Sequence, residues 1–232
     1  TTVLTGANSY SGVTTISSGA LQIGAGGASG SLGAGAVVDN GTLTVNRSDS
    51  YTLANDISGS GSFAQMGSGT TVLTGANSYT GATTISSGAL QIGSGGTSGA
   101  LGSGAVVNNG ALAINRSDAY AIVNAISGSG AFTQMGSGTT VLTGANTYSG
   151  VTTIASGVLT GSNSYSGVTT ISSGSLQVGS GGTTGSLGSG AVVNNASLVF
   201  NRSDAITVSN AMSGTGTLTQ IGAGALSLTG MN

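Results

Sequence analysis

The sequence predicts an all-β solenoid, a stack of coils built from short strands. Three observations carry that prediction: a long internal repeat, apolar residues that alternate over runs of three or four, and a chain with no proline. The run Val3-Leu4-Thr5-Gly6-Ala7-Asn8-Ser9-Tyr10 returns unchanged at Val72 to Tyr79. It returns at Val141 to Tyr148 with Thr147 in place of Ser, so the spacing is 69 both times (72 − 3 and 141 − 72). Aligning residues 3–71 with 72–140 gives 17 differences and 52 identities over 69 positions. A period of this kind marks a repeat architecture, in which each unit buries its apolar side only against its neighbours.

Within the second copy the strand candidates follow in order. They are Thr71-Val72-Leu73-Thr74, Thr83-Thr84-Ile85, Leu90-Gln91-Ile92, Ala105-Val106-Val107, Leu112-Ala113-Ile114, Tyr120 to Val123 with Ile126, and Phe132-Thr133-Gln134-Met135. Each is short and rich in β-branched residues, and Gly, Ser and Asn clusters separate them. One sub-pattern, strand–corner–strand, occurs three times: Ile85-Ser-Ser-Gly-Ala-Leu90, Val107-Asn-Asn-Gly-Ala-Leu112 and Ile126-Ser-Gly-Ser-Gly-Ala-Phe132. Three corners in each copy put the mean coil at 23 positions (69/3), which makes about ten coils in the chain. The expected inward residues are Val72, Ile85, Leu90, Ile92, Val107, Leu112, Ile114, Ile126 and Phe132. Lack of proline fits, because every strand amide is needed by the coil beside it.

The third copy is longer. Leu142 to Ile154 is echoed by Leu159 to Ile171, at an offset of 17 (159 − 142). The chain therefore reads as one repeat solenoid, 1–232, with copies at about 3–71, 72–140 and 141–226 and an inserted coil near 155–171. This register predicts a stacked ladder in which Asn146 lies on Asn163, Tyr148 on Tyr165 and Ile154 on Ile171.

Composition excludes several function classes. The chain has 45 Gly, no Cys, no His and no Trp, and charged residues make up 3%. The bases are Arg47, Arg116 and Arg202; the acids are Asp39, Asp49, Asp56, Asp118 and Asp204. Phosphate binding has no basic patch to work with, so nucleic acid is not an expected partner. The usual catalytic bases and nucleophiles are missing, so no catalytic residue, cofactor or metal site is expected. No apolar run approaches a spanning helix. No leader precedes Thr1, so targeting and anchoring segments are expected outside this piece.

The segment Gly69-Thr-Thr-Val-Leu-Thr-Gly-Ala-Asn-Ser-Tyr-Thr-Gly-Ala-Thr-Thr-Ile-Ser-Ser-Gly-Ala-Leu-Gln-Ile-Gly93 resembles the passenger-associated, or autotransporter-associated, β-strand repeat. Residues 1–24 and 166–179 resemble it comparably, and 138–160 do so up to the inserted unit. The resemblance implies a right-handed parallel β-helix, exported across the outer membrane and displayed at the bacterial surface. It also implies an adhesin, biofilm or virulence role. The expected function is a structural stalk that extends an adhesin or biofilm fibre. The alternative is a surface that binds host cells, sibling cells or glycans directly. Expected partners are neighbouring repeats of the same chain, further copies joined end to end, and a host or glycan surface.

One motif gathers the charges. Asn46-Arg47-Ser48-Asp49 recurs as Asn115-Arg116-Ser117-Asp118 and as Asn201-Arg202-Ser203-Asp204. It reads as a loop tied by its own ion pair and Asn side chain, or else as a periodic ligand contact. Tyr10, Tyr79, Tyr148 and Tyr165 read as corner residues that cover the end of a coil, or else as a glycan-binding face.

Overall fold

The computed structural model describes residues 1–232, and its elements are strands, with no helix. The strands pair in parallel and stack coil on coil into a β-solenoid. The chain forms two compact units, Thr1–Ala113 and Ile114–Asn232.

In unit 1, one sheet runs through Thr2–Leu4, Ala20–Ile23, Thr42–Val45, Ser62–Gln65, Thr83–Ile85 and Val106–Asn108. A second contains Ser50–Leu53, Thr70–Leu73 and Ala89–Ile92, and a third contains Thr14–Ile16, Val37–Asp39 and Ile57–Ser58. Side chains from all three fill the interior. Ile23, Leu43, Leu53, Ile57, Leu73, Ile85, Leu90 and Ile92 have no exposed surface. Full burial of each contributes about 1.5–3 kcal/mol. At the Ser-Ser-Gly corner, Gly88 has φ +62°, a left-handed turn that a side chain would strain.

The coil is shorter than the sequence suggests, and the copy is not a whole number of coils. Along the first sheet, Leu21 pairs with Leu43, Leu43 with Phe63 and Phe63 with Thr83. Together those three steps advance the numbering by 62 (83 − 21). The copy, at 69, overshoots them by seven (69 − 62), which is one strand further round the coil. Each strand and its counterpart one copy later therefore lie in different sheets. Ala20–Ile23 is in the first sheet and Ala89–Ile92 in the second, while Thr14–Ile16 is in the third and Thr83–Ile85 in the first. Unit 2 behaves the same way. Ala131–Gln134 belongs to the sheet of Thr152–Ile154, but its counterpart Thr217–Gln220 belongs to the sheet of Ser197–Phe200.

Val107 is a second difference. It is 36% exposed, and its neighbours Val106 and Asn108 face inward. A Val-Val pair leaves the alternation ambiguous; the pairing of Thr84 with Val107 and Ile85 with Asn108 settles it.

The inserted unit makes one coil within unit 2. Thr152 pairs with Thr169, Ile154 with Ile171 and Val158 with Ser175, an offset of 17 each time (169 − 152, 171 − 154, 175 − 158). Because the strands on either side are already in register, excising 155–171 joins Ile154 to Ser172 without moving any downstream strand to another sheet. The shortened chain should keep its β-sheet circular dichroism and unfold cooperatively. A deletion of half that length from the same place should not, and equal damage from both would show that the coil is not modular.

Candidate functional site

The three Arg loops sit at corners, each joining two strands of different sheets. Arg47 follows Thr42–Val45 and precedes Ser50–Leu53. Its Nε donates to Asp49 Oδ1 at 2.9 Å and its Nη2 to Asp49 Oδ2 at 2.7 Å, a two-point fork. The same guanidinium reaches back one coil, donating from Nη2 to the Ala28 carbonyl at 2.6 Å and from Nη1 to the Gly30 carbonyl. It lies 4.7 Å from the centre of the Tyr51 ring. Arg47 thus pins the glycine-rich loop 24–30, whose carbonyls have few strand partners. The Arg47 guanidinium in turn holds the Asp49 carboxyl below the ordinary carboxylate range.

Arg116 repeats the fork on Asp118 and the stacking on Tyr120, again at 4.7 Å. Arg202 repeats the fork on Asp204 and donates to the Gly185 carbonyl. The side chains of the three arginines are 11%, 12% and 15% exposed, and each is tied to its own Asp inside the loop. Asn46 and Asn201 contribute main chain. Their amides donate to Ile23 and Val178, and their carbonyls accept from Gly26 and Gly181, all at 2.8 Å. Within unit 2 the loop of Arg116 leads into the sheet of Ala119–Ile122, whereas that of Arg202 leads out of that sheet. The motif therefore does not line one face. Changing Arg116 to Ala should lower the thermal midpoint by only a few degrees, about 2–4 °C, and leave any cell or glycan binding intact. A large loss of binding would make the loop a recognition site.

The tyrosines of the later copies are interior residues. Tyr79, Tyr148 and Tyr165 are 0% exposed, while Tyr10 is 41% exposed. The three buried hydroxyls pair with Thr83, Thr152 and Thr169 at 2.7, 2.8 and 3.1 Å. Tyr79 packs against Gly102 of the next coil, where a Cβ would fall 2.4 Å from the ring. In unit 2, Tyr148 instead meets Tyr165, with centroids 4.9 Å apart and planes within 20°. Tyr165 then meets Gly188, and Phe132 lies 6.2 Å on the other side of Tyr148. Burial raises the Tyr148 and Tyr165 pKa values.

The asparagines do not form the amide ladder that their spacing suggests. Asn146 Nδ2 donates to the Gly144 carbonyl at 2.9 Å and Asn163 Nδ2 to the Ser186 carbonyl at 3.2 Å. Their Oδ1 atoms are buried and accept nothing from one another. Each side-chain amide is taken instead by a main-chain carbonyl.

Two further features carry no obvious sequence signal. Gln65 and Gln134 are buried at strand ends, where they donate to the carbonyls of Gly67 and Gly136 at 2.8 Å and accept from Thr71 and Thr140 at 2.6 Å. Asp39 is the one buried acid, 1% exposed, and it accepts from the amides of Gly41 and Leu43 at 2.9 and 3.2 Å. Burial raises its pKa against those two bonds. No three acids come together to hold a metal ion, and no helix is long and apolar enough to cross a membrane.

The passenger-associated-transport-repeat profile matches residues 1–23, 63–92, 132–160 and 158–178. Over those four segments the chain is similar to that repeat. Each matched segment of the repeat brings together an Asn-x-Tyr stretch, the Thr-Thr-Ile strand after it and the Ser-Ser-Gly or Ala-Ser-Gly corner described above. The chain is also similar to the adhesin BmaC autotransporter of Brucella suis biovar 1 (strain 1330), 42% identical over 79 residues. That stretch is 34% of this chain and 2% of the adhesin, so the chain spans a small part of its relative. No solved structure matches. The repeat profile and the autotransporter relative indicate a surface-exposed or secreted passenger segment.

Proposed function

We propose that this chain is a stalk segment in the passenger of a bacterial surface adhesin, and that its work is to extend and stiffen a fibre. The observation that carries this reading is the change of sheet with every copy. Repeated motifs that turn away from one another suit a scaffold better than a row of identical contacts along one ligand. Arg loops tied to their own Asp and buried tyrosines support it, since their hydrogen-bonding groups are largely engaged within the chain. Reaction chemistry has no place in this reading. Beads coated with the chain should bind host or sibling cells far less than beads coated with the full passenger. Equal binding by both would favour the direct adhesive surface instead.

The partners in this reading are further coils of the same kind. Leu218, Ile221, Leu228 and Met231 in the last strands and turns are 41%, 59%, 37% and 83% exposed. Unpaired strand edges beside apolar side chains invite another strand, and few charges oppose it. The isolated chain should therefore associate end to end, with a scattering mass that rises with concentration. A strictly monomeric chain at high concentration contradicts this.

A further inference from the structure

Unit 2 contains a groove of roughly 480 Å³ lined by Ser186, Leu187, Arg202, Ile206, Val208 and neighbouring residues. Its origin lies in one exchange between copies. Position 51 of the first copy corresponds to 120 in the second (51 + 69) and 206 in the third (120 + 86), so Tyr51, Tyr120 and Ile206 are counterparts. By the same count Leu32 corresponds to Leu187, Arg47 to Arg202 and Leu53 to Val208. In unit 1 the Tyr51 ring lies under the Arg47 guanidinium at 4.7 Å, and its hydroxyl accepts from the Leu32 amide at 3.3 Å. At the third copy the frame of that site persists. Arg202 keeps its fork on Asp204, and Asn210 Nδ2 donates to Gly188 and Gly190 at 2.7 Å, as Asn55 Nδ2 does to Gly33 and Gly35 at 2.8 and 2.6 Å. The phenol is gone, and the hydrocarbon side chain of Ile206 cannot accept from the Leu187 amide.

We propose that this groove binds a phenolic ring supplied from outside the chain. The ring stacks on the Arg202 guanidinium, as Tyr51 and Tyr120 stack on Arg47 and Arg116. Its hydroxyl accepts from the Leu187 amide, as the Tyr51 hydroxyl accepts from Leu32. Val208 in place of Leu53 deepens the floor. Specificity follows from the template: a flat ring with one polar end fits, and an aliphatic ring of the same size loses the cation contact. Free phenolic compounds and tyrosine side chains share this chemistry.

The test is titration of the full 232-residue chain with p-cresol, followed by ¹⁵N NMR. Saturable shifts of the Leu187 amide and Arg202 Nε are expected, with a Kd on the order of 1 mM for so small a ligand. 4-Methylcyclohexanol should bind at least about fivefold more weakly. Ile206→Tyr supplies the ring covalently, as two other copies already do, and should weaken p-cresol binding at least about tenfold by occupying the site. Tyr120→Ile should open a second site and raise the stoichiometry from one to two. N-acetyltyrosinamide separates the sources: binding like p-cresol points to tyrosine side chains, and failure beside p-cresol binding points to free phenolics. Absence of saturable shifts at Leu187 with either ring, or unchanged binding in Ile206→Tyr, overturns the proposal.

Discussion

Changing Tyr148 to Ala should be the most damaging single truncation beside the inserted coil, at a cost of about 3–5 kcal/mol. Its ring is stacked on Tyr165 and flanked by Phe132, so a cavity opens between two fixed neighbours. Tyr148→Phe keeps the stack and loses only the 2.8 Å bond to Thr152, a loss of about 1 kcal/mol. Tyr10→Ala is the control, since that ring is 41% exposed and should cost far less. Urea denaturation of the three variants gives the ranking. If Tyr148→Ala and Tyr10→Ala shift the midpoint equally, the interior stack contributes nothing of its own.

The opposite sign is expected at Asp39. Its counterpart Asn194 accepts from the Ala196 amide at 3.2 Å and donates to the carbonyl of Thr217, one coil on, at 2.8 Å. Asp39 also accepts, but an ionised carboxylate has nothing to donate to the equivalent Ser62 carbonyl (39 + 23). Burial raises the Asp39 pKa, so the folded state holds its proton to a higher pH than the unfolded chain. Stability from this residue is therefore complete below the unfolded value of 3.8 and is lost as pH rises through the folded value. Asp39→Asn should remove that slope and stabilise the chain at neutral pH by about 1–3 kcal/mol. Asp49, Asp118 and Asp204 have lowered values and act in the other direction, losing stability as pH falls. Denaturant midpoints from pH 4 to 8 check this, and a variant less stable than the parent at pH 7 would refute it.

Much of the architecture was legible because it depends on repetition. The identity of Val3–Tyr10 with Val72–Tyr79 announces stacking, and the echo of Leu142–Ile154 in Leu159–Ile171 gives the inserted coil its register. Coil length was not legible from three similar corners. Other turns, such as Gly93–Leu101 and Met135–Gly138, have sequences of their own, and counting only the similar ones overestimates the coil. The Arg–Asp pair could be read from its close spacing in the chain. Its grip on Ala28 and Gly30 could not, because those residues are 19 and 17 positions away (47 − 28 and 47 − 30) and meet Arg47 only after a coil closes. The asparagines failed as a ladder for a related reason: register places them in line, but main-chain carbonyls are nearer acceptors of their amides.

The two lengths of repetition have different effects when such a chain gains or loses material. A duplicated short block, like the one that offsets Thr169 from Thr152, moves each later strand one rung along its own sheet and leaves its compass bearing unchanged. A duplicated long copy moves each later strand onto the adjoining side, as Ala20–Ile23 and Ala89–Ile92 show. Recombination between short echoes would therefore tune reach alone, and recombination between long copies would also swing whatever is carried beyond them to a new heading.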